Sequence, residues 1–67
     1  MWIKTETGAL VNCDLLDSIV YSEEDHVTYG YKGEERCVLS HEDSTIMEIC
    51  SAMHKKLPVV SVGGYYG

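Results

Sequence analysis

The chain has no phenylalanine and only one proline. Without Phe, its aromatic content falls on Trp2 and five tyrosines, whose polar ends need partners if they are buried. No apolar run approaches the ~20 residues needed to span a bilayer. The opening also lacks a basic stretch followed by an apolar one, so no signal peptide is expected. The three cysteines, Cys13, Cys37 and Cys50, are an odd number, which argues against a secreted disulfide scaffold. A cytoplasmic protein with free thiols is the expectation.

Positive charge is the most unevenly distributed feature. From Glu6 to Tyr31 there is no Lys or Arg, yet Glu6, Asp14, Asp17, Glu23, Glu24 and Asp25 all lie there. Over the whole chain eleven acids face five bases, for a formal charge of −6. That balance disfavours direct contact with nucleic acid or with an anionic membrane surface. It suits a basic protein surface. A chain of 67 residues buries only about 60% of its unfolded surface, so one small domain with a marginal core is expected.

Along the chain, Trp2–Thr5 and Ala9–Asn12 read as a hairpin turning at Gly8. Cys13–Asp17 reads as a short helical turn whose leucines tuck under a sheet. Ser18–Tyr21 and His26–Tyr31 read as strands joined by the acidic turn 22–25. Lys32-Gly33-Glu34 then leads to a strand over Glu35–Leu39. Period-two alternation puts Val27, Tyr29 and Tyr31 on one face, and Cys37 and Leu39 together on one face. After Ser40 the period becomes helical. Ile46, Ile49, Cys50, Met53 and Leu57 form one apolar stripe, predicting a helix over 40–57 with Ser40 as N-cap and Pro58 as terminator. Residues 58–67 predict an edge strand at Val59–Val62 and a flexible tail carrying Tyr65 and Tyr66. The predicted fold class is α+β: a small antiparallel sheet of four to five strands with one C-terminal helix on one face.

Cys37-x-x-x-His41 and Cys50-x-x-x-His54 repeat a metal-ligand spacing. On one straight helix, however, His41 and His54 would stand roughly 20 Å apart, so no single four-ligand site is expected. Cys50 reads as a buried small hydrophobe on the core stripe. No serine lies in a nucleophile motif, and the glycines match neither a P-loop nor a dinucleotide fingerprint. No catalytic residue, metal or cofactor is therefore assigned.

The opening Trp2-Ile3-Lys4-Thr5-Glu6-Thr7-Gly8-Ala9-Leu10-Val11-Asn12 resembles the start of many small proteins of Gram-positive bacteria and their phages. These begin with an I-K-T-x-x-G-x-L-V-N hairpin, continue as a small sheet and finish with a helix. The resemblance brings no catalytic residues. It implies a phage or mobile-element setting, where small acidic proteins often inhibit host defence, anti-CRISPR proteins among them. The expected function is thus a small acidic, non-enzymatic binding protein. It would block the basic groove of a larger nucleic-acid-handling protein, acting as a nucleic-acid mimic. The expected contact residues are Asp14, Asp17, Glu23, Glu24 and Asp25, with Tyr65 and Tyr66 on the tail. The alternative is a self-assembling module, a homodimer formed through Val59–Val62 or exposed tyrosines.

Overall fold

The structure, a computed structural model, describes residues 1–63. The chain is α+β, with six strands and one helix among these residues. Its strands form two three-stranded sheets instead of the single sheet predicted.

The first sheet is centred on β1 (Trp2–Lys4). On one side β2 (Leu10–Asn12) pairs antiparallel, with Ile3 opposite Val11. On the other side β6 (Val59–Ser61) pairs parallel, with Ile3 opposite Val60. The β1–β2 turn closes around buried Thr5, whose hydroxyl accepts from the Ala9 amide at 3.2 Å. Gly8 takes φ +88°, as the hairpin requires. A single 3₁₀ turn, Cys13–Leu15, follows, with Asn12 capping the Asp14 amide at 3.0 Å. Of the two leucines there, Leu16 reaches the core edge while Leu15 is exposed, because a one-turn element has only one inner side.

The second sheet is the antiparallel meander β3 (Ser18–Ser22), β4 (Val27–Lys32) and β5 (Glu35–Ser40). Its pairing rows are Ile19–Gly30–Cys37 on the inner face and Val20–Tyr29–Val38 on the outer face. The register slips once. Tyr29 faces Val38 but Thr28 faces Ser40, so Leu39 is an extra residue in a bulge. Leu39 turns fully inward, and its carbonyl accepts the Glu6 amide at 3.1 Å, tying the two sheets together.

The core lies where both sheets meet the helix: Ile3, Cys13, Leu39, Ile49 and Val62, edged by Met1, Val11, Leu16, Ile19, Cys37 and Val60. Each buried aliphatic side chain there contributes about 1.5–3 kcal/mol, so few contacts separate this fold from unfolding.

The helix α1 spans Thr45–His54, shorter than the 40–57 predicted. Ser40 is not its N-cap. Ser40 is the buried last residue of β5, and its hydroxyl accepts the Glu42 amide at 2.9 Å in a turn outside the helix. Ser44 holds the N-cap position but makes no side-chain cap bond. At the other end Lys56 adopts φ +56°, with Lys56 N bonded to Met53 O and Leu57 N to Ala52 O. This Schellman closure stops the helix at His54, four residues before Pro58.

The buried stripe is also rotated from the predicted one. Thr45, Ile49 and Ala52 face inward and Ile46 is half-buried, while Cys50, Met53 and Leu57 are exposed. Thr45 and Ala52 are small, and Thr45 satisfies its hydroxyl on the Glu42 carbonyl at 2.8 Å, so this side admits close approach to the sheets. The bulkier side chains are left along the margin.

Candidate functional site

The acidic residues predicted as one patch are divided by β3. Asp14 and Asp17 precede it; Glu23, Glu24 and Asp25 follow it. The six steps from Asp17 to Glu23 correspond to roughly 20 Å of extended chain.

At the first end both carboxylates have partners. Asp14 pairs with the N-terminal ammonium at 3.4 Å. Asp17 Oδ2 accepts the Gly33 amide at 2.6 Å and so fixes the β4–β5 turn. These two are exposed, but their contacts within the fold account for their positions.

The other end is assembled by register. Glu23, Glu24 and Asp25 occupy the β3–β4 turn, which His26 completes with φ +56°. Ser22 faces Val27, and Thr28 faces Ser40, so the chain leaving β5 emerges beside that turn. It carries Glu42 and Asp43, both exposed. Neither 21–31 nor 37–54 contains a Lys or Arg. Glu42 and Asp43 therefore join the acidic end, ahead of α1 and not within the predicted helix 40–57. The signal that could have found them is the hairpin register.

Asp25 has a second role. Its Oδ2 accepts the Tyr29 hydroxyl at 3.0 Å. That hydrogen bond, with desolvation and the negative charge of Asp25, pushes the Tyr29 hydroxyl above its ordinary pKa. Arg36 lies over the Tyr29 ring, 4.3 Å from the centroid, and Tyr31 is tilted against it at 6.2 Å. The predicted core tyrosines thus form an outer-face cluster, with Tyr29 buried and Tyr31 half-buried. Glu23 and Glu24 carry no hydrogen bond or ion pair among the described residues and are exposed.

Glu6 sits beside this end, joined to His41 through both amide and ring: its Oε2 accepts the His41 amide at 3.0 Å and its Oε1 meets His41 Nδ1. Desolvation raises the Glu6 pKa, but the His41 amide, ring hydrogen bond and charge together outweigh it, leaving the carboxyl below its ordinary value.

The thiols and histidines do not converge. Cys37 is on β5 and half-buried, while His41 is committed to Glu6. Cys50 is exposed, a correction to its predicted burial that follows from the rotated stripe. Among the described residues no three His, Cys, Asp or Glu side chains group as a metal would require. No helix among them is long and apolar enough to cross a membrane. The predicted edge Val59–Val62 is shorter than expected: β6 ends at Ser61, Val62 is buried and Val60 half-buried, leaving Val59 exposed. Tyr65 and Tyr66 lie outside the described residues. Compared with protein-family models, curated proteins and solved structures, the chain matches none.

Proposed function

We propose that this chain is a small, non-enzymatic binding protein that presents its acidic end to the basic groove of a larger nucleic-acid-handling protein and so excludes the normal ligand. A phage-type inhibitor of a CRISPR-like defence protein is the form this takes. One observation carries the reading: among the described residues Glu23 and Glu24 stand exposed and unpaired beside Asp25, with Glu42 and Asp43 brought to the same end by the sheet register. Like charges held together destabilise a marginal domain, and a positive partner relieves the repulsion. Opposed potentials speed encounter and fix orientation. Asp14 and Asp17, at the far end of β3, serve the fold and are secondary to this contact.

The experiment is displacement of labelled duplex DNA from a guide-loaded CRISPR effector, followed by fluorescence anisotropy. The wild-type chain should compete. The variant E23K/E24K/E42K should lose at least about tenfold in potency, as expected when several opposed charge pairs become repulsive. Asp25 is left intact because it holds Tyr29. An unchanged circular dichroism spectrum would show that the variant still folds. Equal potency of the two proteins would refute the electrostatic contact.

A further inference from the structure

The strand β3 is an open edge. Among the described residues no backbone hydrogen bond reaches Ser18–Ser22 from outside its pairing with β4. The other edge of that sheet is protected: β5 carries Glu35 and Arg36, is bulged at Leu39, and is tied to Glu6. The edges of the first sheet, β2 and β6, are only three residues long. β3 has none of these defences. It is Ser-Ile-Val-Tyr-Ser, five residues without charge, proline or bulge. Beside it runs an apolar groove of about 300 Å³ between the strand and α1, lined by Leu16, Ile19, Ile46, Cys50 and Met53. This groove is where the uncovered margin of the helix stripe lies.

Charge decides what fits. Asp17 stands at one end of the strand and Glu23 at the other. A second copy paired antiparallel about Val20 would set Asp17 against Glu23 of its partner at both ends. Such like-charge contacts oppose self-pairing. An extended segment with Lys or Arg at both ends meets the same two carboxylates favourably.

We infer that β3 accepts a strand from its partner: a segment of about seven residues, basic at each end and apolar at alternate positions between, added to the edge of the second sheet. Main-chain pairing supplies affinity and the alternating side chains supply specificity. The side chains opposite Ile19 and Tyr21 project on the groove side, toward Ile46, Cys50 and Met53. The inference rests on the reading of this chain as a binder of a basic partner, and adds to it the mode of docking.

The probe is the peptide acetyl-Lys-Thr-Ile-Val-Ile-Thr-Lys-amide, with a Glu-flanked version as its counterpart. Binding to the full chain is measured by calorimetry, and amide exchange at Ser18–Ser22 by NMR. The Lys-flanked peptide should bind about tenfold more tightly than the Glu-flanked one, from two opposed end charges. It should slow exchange at Ser18–Ser22. Glu23→Lys should narrow that preference, weakening the first peptide and strengthening the second. Binding that leaves exchange at Ser18–Ser22 unchanged would overturn strand addition while leaving the acidic docking reading intact. Equal binding of both peptides, or of neither, would overturn it also. So would sedimentation of the chain alone as a dimer with slowed exchange at those amides, since the occupant would then be a second copy. The DNA-displacement assay is read independently of each result.

Discussion

The contact between Glu6 and His41 shows how much a single side chain holds in a domain this small. Glu6 donates its amide to Leu39 O in the second sheet and receives the His41 amide on its carboxylate, so one residue links the first hairpin to the exit of β5. Because its folded pKa lies below the ordinary value, the stabilisation is present above the unfolded pKa and fades as pH falls through the folded one. Glu6→Gln should lower stability at pH 7 by about 1 kcal/mol, the scale of a partly screened, charge-assisted hydrogen bond. The gap to wild type should narrow as pH falls below the unfolded value and close once the folded carboxyl itself is protonated, where both carry a neutral side chain. Chemical denaturation at pH 7, 5 and 3.5 checks this, and a gap constant across pH would refute it. A contrasting case is Thr28, fully buried with no partner for its hydroxyl among the described residues. An unsatisfied buried hydroxyl costs about 1–3 kcal/mol.

At the scale of elements, the helix is the instructive disagreement. Its existence and approximate place were readable from the period of the apolar residues. Its rotation was not. Periodicity counts hydrophobic side chains, whereas close packing against two sheets selected the small Thr45 and Ala52 around Ile49. The ends moved for similar reasons. Ser40 was claimed by sheet pairing opposite Thr28, and Lys56 closed the helix by a left-handed backbone before Pro58 could. The thiols report this rotation. Cys50 is exposed, while Cys13 is buried and desolvation raises its pKa. With the native protein at pH 8, Cys50 should react with a disulfide reagent rapidly and Cys13 only on the timescale of opening, at least about a hundredfold more slowly. Mass spectrometry of quenched samples identifies the site. Equal rates would mean that the helix is seated as its apolar stripe suggests. The hairpins were more legible. Gly8 and Gly33 mark two turns, and period two assigned the faces of β4 and β5 correctly; only the bulge at Leu39 was hidden, since nothing local distinguishes it from an ordinary strand residue.

For the whole molecule, charge and size act together. A formal charge of −6 sits on a body with a Cα radius of gyration of 10.9 Å, so most carboxylates lie within a few Debye lengths of one another. Thermal stability should rise with added salt from 0.02 to 0.5 M, as screening weakens self-repulsion. E23K/E24K should flatten that dependence and raise the midpoint at low salt by a few degrees, roughly the effect of 0.5–1 kcal/mol in a domain this short. Scanning calorimetry reads both. A wild-type midpoint that falls with salt would show that paired charges outweigh repelling ones. The same substitutions should thus stabilise the free chain while weakening the proposed basic-groove contact, and opposite signs in the two measurements would support that proposal.

Composition and local pattern alone determined an acidic α+β domain with free thiols, its hairpins and one helix near the C-terminus, because turn chemistry and periodicity act over a few residues. Only the tertiary structure decided the division into two sheets, the parallel pairing of β6 on β1, the rotation of α1, and which carboxylates share an end. Those outcomes depend on register between segments distant in sequence and on which side chains are small enough to let layers meet, and neither is written in any one stretch of chain.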